Sequence, residues 1–175
     1  MKLISLTVGS KEFDEIAKHI TKSYPNACIM FIDKVVEPCF EAEYNALKAS
    51  MKEPNEQLLF HGTTEEAARS ILESGFDPTL NRRAAYGKGV YFSTSASYSK
   101  DYMDVNTRTI GFELSYMLIT SVLVGRMGQG GSNSQINLEK YDTQVDNVFK
   151  TTIISVPRKE QAIPKYYVGF HKGAR

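Results

Sequence analysis

The sequence predicts an α+β fold, and three observations predict it. Short β-rich runs concentrate late in the chain, at 116–125, 150–156 and 166–170. Helical patterns fall mainly in the first half. The two kinds of element do not alternate as βαβ units do, which argues against a doubly wound parallel sheet. The 175 residues contain no internal repeat and no Pro/Gly/Ser-rich linker, so residues 1–175 are read as one domain.

Each element has its own local warrant. Residues 11–22 place Phe13, Ile16, Ala17 and Ile20 at i, i+3, i+4 and i+7, with Ser10 available as N-cap. Residues 27–36 are a strand. A second helix is expected from about Pro38, with proline in its first turn and Phe40, Tyr44 and Leu47 on one face. Leu58, Leu59 and Phe60 form a short strand ending at His61. Thr63-Thr64-Glu65-Glu66 matches the capping-box pattern T-x-x-E before Ala67, Ile71 and Leu72, and Gly75 stops that helix. His61, Gly62 and Thr63 are thus expected on a strand-to-helix turn, with backbone groups free to face a ligand. A polar loop over 77–88 precedes a strand over 89–93 and a short helix over 94–102. The stretch from Gly125, GRMGQGGSNS, is expected to be a flexible connection.

Composition excludes several classes. Hydrophobic residues make up 42% and charged residues 23%, an ordinary globular balance. The 21 basic and 20 acidic residues leave a net charge of +1, so charge gives nucleic acid no support as a partner beyond a local patch. No apolar run approaches the roughly 18–20 residues of a membrane span, and the N-terminus is too short in apolar residues for a signal peptide. A soluble intracellular protein, cytoplasmic or nuclear and monomeric, is expected. Cys28 and Cys39 belong to no CxxC or Cys/His cluster and are expected as two buried small hydrophobes in a reducing compartment.

Other motifs do not complete. Gly87-Lys88-Gly89 is not a Walker A loop, and no GxGxxG is present. His19, His61 and His171 lack the HExxH spacing, so no metal site is expected. Glu41-Ala42-Glu43 is an E-x-E, but it lies in an amphipathic helix and reads as a solvated face.

Three separated segments remain: LLFHGTT over 58–64, YGKGVYFSTSASYSKDY over 86–102, and YDTQVDNVFKTTIISVPRKEQAIPKYYVGF over 141–170. Singly, His61 could be a turn histidine and Tyr91, Tyr98 and Tyr102 packing aromatics. In combination they resemble the catalytic domain of the poly(ADP-ribose) polymerase family, over about 56–170, and most closely its mono-ADP-ribosylating branch. The resemblance implies an ADP-ribosyltransferase fold of mostly antiparallel split sheets with flanking helices, and NAD as co-substrate. His61 matches the triad histidine, expected to bond a ribose hydroxyl. Gly62 matches the glycine whose backbone binds the nicotinamide amide, and Thr63 sits at the adenosine end. Tyr91 matches the triad tyrosine on one face of the nicotinamide ring and Tyr102 the tyrosine on the other, with Tyr98 a further wall candidate. Ser99 matches the serine that bonds the carboxamide. Asn81, Arg82 and Arg83 lie in the loop that covers the donor, where an arginine could pair with the pyrophosphate or remain solvated.

Alignment through QAIP (161–164) places Ile153 at the third triad position, where a glutamate supports chain growth. Isoleucine neither accepts a hydrogen bond nor acts as a base, so a single ADP-ribose passed to a protein acceptor is implied. The helical regulatory domain of DNA-damage-responsive members has no counterpart here, and activation by DNA breaks is not expected. Three readings stay open beside this one: an inactive binding module of the same fold, an RNA 2′-phosphotransferase, and a secreted effector.

Overall fold

The computed structural model describes residues 1–81, 84–103, 108–109 and 112–171; the side chains of 108, 109, 112 and 113 are not part of that description. Strands β1 (Lys2–Ser5), β2 (Ile29–Val36), β3 (Glu56–Thr63), β4 (Val90–Ser93), β5 (Arg108–Thr109), β6 (Phe112–Leu123), β7 (Met127–Gln129), β8 (Thr143–Val145), β9 (Ile153–Val156) and β10 (Ala162–His171) pair in one path. Its order is β1-β2-β10-β6-β3-β4-β9-β8-β7, with β5 paired to β6. Pairing is antiparallel except between β7 and β8. Among the described residues β3 meets β4 through one rung, Phe60 opposite Ser93. The sheet therefore divides there into two halves, with His61 next to the division.

Helices α1 (Lys11–Thr21), α2 (Glu41–Ser50), α3 (Glu65–Ser74) and α4 (Ala96–Lys100) flank the sheet. Period-2 alternation sends neighbouring residues of the central strands to opposite faces. Leu59, Leu118 and Ile154 pack with Ala68, Leu72 and Phe76 on the α3 side. Phe60, Met117, Ile119 and Val168 pack with Ile16 and Ile20 of α1 and Ala96 of α4 on the other. Burial on both faces explains why β6 reads as a nearly continuous apolar run.

Several expectations are corrected. The helix after Pro38 begins only at Glu41, because Phe40 adopts a left-handed backbone with φ 62° that a helix cannot include. The cap of α3 is Thr64, whose hydroxyl accepts from the Ala67 amide; Thr63 belongs to β3, so the box anchored on Thr63 does not form. His61, Gly62 and Thr63 are likewise strand rather than turn, since the long β6 continues the ladder opposite them with Leu118, Met117 and Tyr116. The stretch expected as a flexible connection contains β7, which lies beside β8. Cys28 is exposed, and Cys39 is only partly buried. The Cys39 thiol donates to the Glu73 carbonyl, 2.8 Å away at the end of α3, a contact that keeps it near the surface. The E-x-E behaves as expected of a helix surface: Glu43 is exposed and Glu41 lies 3.9 Å from Lys165.

Pro164 lies in β10, flanked by strands on both sides, where a missing N–H is usually costly. Its pairing partner is Thr120 of β6, while the ladder with β2 starts only at Tyr166. A register shift between Pro164 and Tyr166 takes up the irregularity.

Glu56 anchors α2 to the sheet. Its carboxylate accepts from the Tyr44 hydroxyl at 2.6 Å and the Ser121 hydroxyl at 2.7 Å, and pairs with Lys48. The Lys48 ammonium, then the Tyr44 hydroxyl, hold its pKa down at about 2. A carboxylate depressed below its unfolded value of about 4.3 adds stability that is complete above that value and is lost as pH falls toward the folded one. Because a third of the side chain is exposed, the pair is discounted for screening to about 1–2 kcal/mol. Thermal melts are expected to show that Glu56→Gln loses this amount at pH 7, and that the gap from wild type closes between pH 4.3 and about 2.

Candidate active site

The three triad candidates lie on three successive strands of the path, β3, β4 and β9. His61 Nδ1 is 2.8 Å from the Tyr91 carbonyl oxygen. A carbonyl only accepts, so Nδ1 carries the proton and the neutral ring presents Nε2 as an acceptor. Burial lowers the His61 pKa, and the Tyr91 carbonyl offsets this only in part. The ring is held edge-on to Phe76, centroids 5.3 Å apart, and tilted against Phe92 at 5.5 Å. Sequence thus supplies a histidine with one tautomer and one orientation.

Tyr91 is fixed by its hydroxyl. That group donates to the Gly87 carbonyl at 2.8 Å and accepts from the Tyr86 amide at 2.8 Å. Gly87 has φ +98°, and a Cβ there would lie 1.9 Å from Gln144 Oε1. Its carbonyl also accepts from the buried Ser155 hydroxyl at 3.2 Å. Ser155 stands opposite Tyr91 in the β4–β9 ladder. Gly87, Gln144 and Ser155 therefore form a mount for the tyrosine that sequence reasoning missed. The one available signal is Gly87-Lys88-Gly89, which belongs to the motif segment before β4 but does not point to Gln144 or Ser155.

Ile153 is buried, 5% exposed, and pairs with Ser93. Its amide and that of Thr152 both donate to Asp146 Oδ1 at 3.0 Å. The Asp146 carboxylate beside the third position is thus committed to holding the start of β9.

Helix α4 brings the remaining candidates to β3. Ser95 caps it, accepting from the Tyr98 amide. Ser99 is 3% exposed and its hydroxyl donates to the Phe60 carbonyl at 3.2 Å, which leaves the oxygen able to accept from a ligand amide. The Tyr98 and Tyr102 hydroxyls are 2.8 Å apart, with ring centroids at 5.5 Å, and Tyr102 is 49% exposed. Burial, followed by the Tyr102 contact, raises the Tyr98 pKa. The Gly62 Cα faces the same helix: a Cβ on it would lie 1.8 Å from the Ser99 carbonyl oxygen. Glycine is required here by this close helix approach.

Thr63 is partly exposed at the end of β3, opposite Tyr116. Asn81 donates to the Gly89 carbonyl at 2.7 Å and so ties the start of its loop to the entry of β4. Arg82 and Arg83 lie outside the described residues. Among the described residues no three His, Cys, Asp or Glu side chains gather as a metal site, and no helix is long and apolar enough to cross a membrane.

An acceptor nitrogen at His61, a buried hydroxyl at Ser99 and aromatic surfaces at Tyr91, Tyr98 and Tyr102 suit a flat amide-bearing ring with ribose hydroxyls beside it. The protein mono-ADP-ribosyltransferase PARP11 of Mus musculus is 30% identical, with 97% of this chain and 60% of that protein covered. PARP14 of Homo sapiens, also named a protein mono-ADP-ribosyltransferase, is 26% identical over 97% of this chain and 10% of its own length. For PARP12 of Mus musculus, of the same designation, identity is 26% over 99% of this chain and 26% of that protein. The chain spans less than two thirds of the length of these relatives. The sequence model of the poly(ADP-ribose) polymerase catalytic domain matches residues 10–169, and the chain belongs to that family.

Proposed function

We propose that this chain is an NAD-dependent mono-ADP-ribosyltransferase acting on a protein acceptor. The observation that carries the reading is the set His61, Tyr91 and Ile153 on neighbouring strands, with an aliphatic side chain where chain growth would need a carboxylate. His61 accepts a ribose hydroxyl at Nε2. The Gly62 backbone and the Ser99 hydroxyl hold the carboxamide, and Tyr91 and Tyr102 stack on the two faces of the nicotinamide, with Tyr98 bracing Tyr102. Thr63 serves the adenosine end, and Arg82 and Arg83 serve the pyrophosphate.

In the reaction the bond between nicotinamide and the ribose C1′ breaks, and the bonding pair leaves with the ring, which becomes neutral. An acceptor oxygen, nitrogen or sulfur forms the new bond to C1′, and one that carries a proton gives it up to water. The protein's part is orientation and preorganised polar contact, as suits a cationic ribose in the transition state. Ile153 cannot take the acceptor's proton. An acceptor that is already ionised, such as a carboxylate, fits best.

Family membership and the relatives' names support the reading over an RNA 2′-phosphotransferase. It also predicts that NAD stabilises the fold. At about 100 times its dissociation constant NAD should add about 2.7 kcal/mol, read as a rise in Tm, and the wild type should release nicotinamide. A binding module that does no chemistry gives the shift without the nicotinamide. No shift at millimolar NAD contradicts the proposal.

A further inference from the structure

A cavity of about 520 Å³ lies against the C-terminal end of α2, and the chemistry proposed above does not use it. Its volume falls within the roughly 300–1,000 Å³ of small-molecule sites. Leu47 and Met51 form part of the wall from the α2 side, where they pack against Leu123 and Ile163 of the sheet. Leu138, 47% exposed, adds apolar surface from the connection between β7 and β8. The place is remote from the triad. The Gly125 amide donates to the Pro54 carbonyl at 2.9 Å, which sets Arg126 beside the chain as it enters β3. His61 stands five residues beyond Glu56, the first residue of that strand. At about 3.3 Å per residue, roughly 16 Å of strand separate the two ends.

The charged part of the wall is unequally matched. Asp142 is taken up by Arg126: Oδ2 accepts from the Arg126 amide and Nε, both at 2.9 Å, and Oδ1 from Nη2 at 3.4 Å. Arg126 Nη1 donates to the Glu139 carbonyl at 2.9 Å, so this guanidinium is committed as well. Arg158, which follows β9, is left over. Its Nη2 comes only to 3.9 Å from Asp142 Oδ1, beyond hydrogen-bond reach. Among the described residues its guanidinium makes no hydrogen bond, and Nε is buried without a partner. A buried donor left open carries a desolvation cost that a bound acceptor relieves. The side chain is 37% exposed, so a ligand can reach it. Lys52 and Glu53 line the same cavity, and three cations against two carboxylates leave one positive charge unmatched.

We infer that this cavity binds a small organic monocarboxylate, whose carboxylate pairs with Arg158 and whose apolar body rests on Leu47, Met51 and Leu138. A planar guanidinium matches a carboxylate through paired N–H···O bonds. One unmatched charge suits a monoanion. A phosphate monoester, close to a dianion at neutral pH, would set a second negative charge against Asp142 and Glu53. The inference stands apart from the transferase reading, since none of the residues named belongs to the triad or its mounts.

The test titrates phenylbutyrate into the whole chain and reads binding by calorimetry. Saturable binding with Kd on the order of 1 mM is expected for a ligand of this size. Phenylbutanol, which has the same body and no charge, should bind at least about tenfold more weakly, and Arg158→Gln should weaken phenylbutyrate as much. Arg158→Lys keeps the charge without the fork and should fall between. Leu138→Ser should weaken it about threefold through lost apolar contact. Cooperative melting checks that each variant is folded, and if Arg158→Gln is not, Leu138→Ser and the alcohol decide. Saturating NAD should leave the affinity for phenylbutyrate unchanged. No saturation at roughly ten times the expected Kd overturns the inference, as does equal binding of the alcohol or full affinity in a folded Arg158→Gln. Competition with NAD would put phenylbutyrate in the donor site and overturn it too. Tighter binding of phenyl phosphate would assign the cavity to phosphate and overturn the monocarboxylate.

Discussion

Gly62→Ala is expected to cut kcat/KM for NAD by at least about 100-fold, the scale that a misplacement of around 1 Å produces at a reacting centre. The added methyl would lie 1.8 Å from the Ser99 carbonyl oxygen and 2.7 Å from its carbon. Both are backbone atoms, which do not yield as the tip of a flexible side chain does. Strand β3 and helix α4 must separate, and with α4 go Ser99, Tyr98 and Tyr102. Overpacking of this kind costs about 1–3 kcal/mol, so a fall in Tm should accompany the loss of turnover. Nicotinamide release and a thermal melt on the same sample check both. An alanine variant with normal turnover would mean that α4 does not position the substrate.

His61→Ala is the second large effect. It removes the bond to the Tyr91 carbonyl, the ring contacts with Phe76 and Phe92, and the proposed acceptor at Nε2. A loss of about 2–3 kcal/mol in stability and about 100-fold or more in kcat/KM is expected. The histidine also sets a pH dependence with a definite sign. Burial lowers its folded pKa below the ordinary value of about 6.5, so the unfolded chain binds the proton first as pH falls. Stability from this group is complete above about pH 6.5 and declines as pH drops toward the lowered folded value. Turnover should stay level through neutral pH and decline only below the ordinary histidine range, where protonation turns Nε2 from an acceptor into a donor. His61→Ala should lack the histidine part of the stability profile. A wild-type decline centred at or above pH 6.5 would contradict the buried neutral ring.

Much of this was legible in the sequence because periodicity and capping report strong local preferences. Helix α1 with its Ser10 cap, the stop at Gly75 and the apolar run of β6 follow from such signals. Strands β1 and β8 did not show. The first is an exposed edge strand. The second is a three-residue polar stretch buried because Thr143 and Gln144 find partners in Val124 and Ser134. Tertiary pairing, which no local window contains, also drew His61, Gly62 and Thr63 into β3.

The site followed the same division. Residues carried by the motif, from His61 to Tyr102, could be named from the resemblance. The structure brings His61 against the Tyr91 backbone and packs Ser99 against β3. The mount of Tyr91 could not be named, because Gly87, Gln144 and Ser155 converge from three separate segments. Nor could the reason for Gly62, since its neighbour is a carbonyl 37 residues away in sequence that only folding brings near.

The most direct measurement is incubation of wild type, His61→Ala and Tyr91→Ala with labelled NAD and a mixed protein extract, resolved on a denaturing gel. Single-unit transfer through this site predicts discrete labelled bands from the wild type, absent from both variants. A high-molecular-weight smear would show chain growth despite Ile153, and bands that persist in both variants would place the chemistry outside the triad.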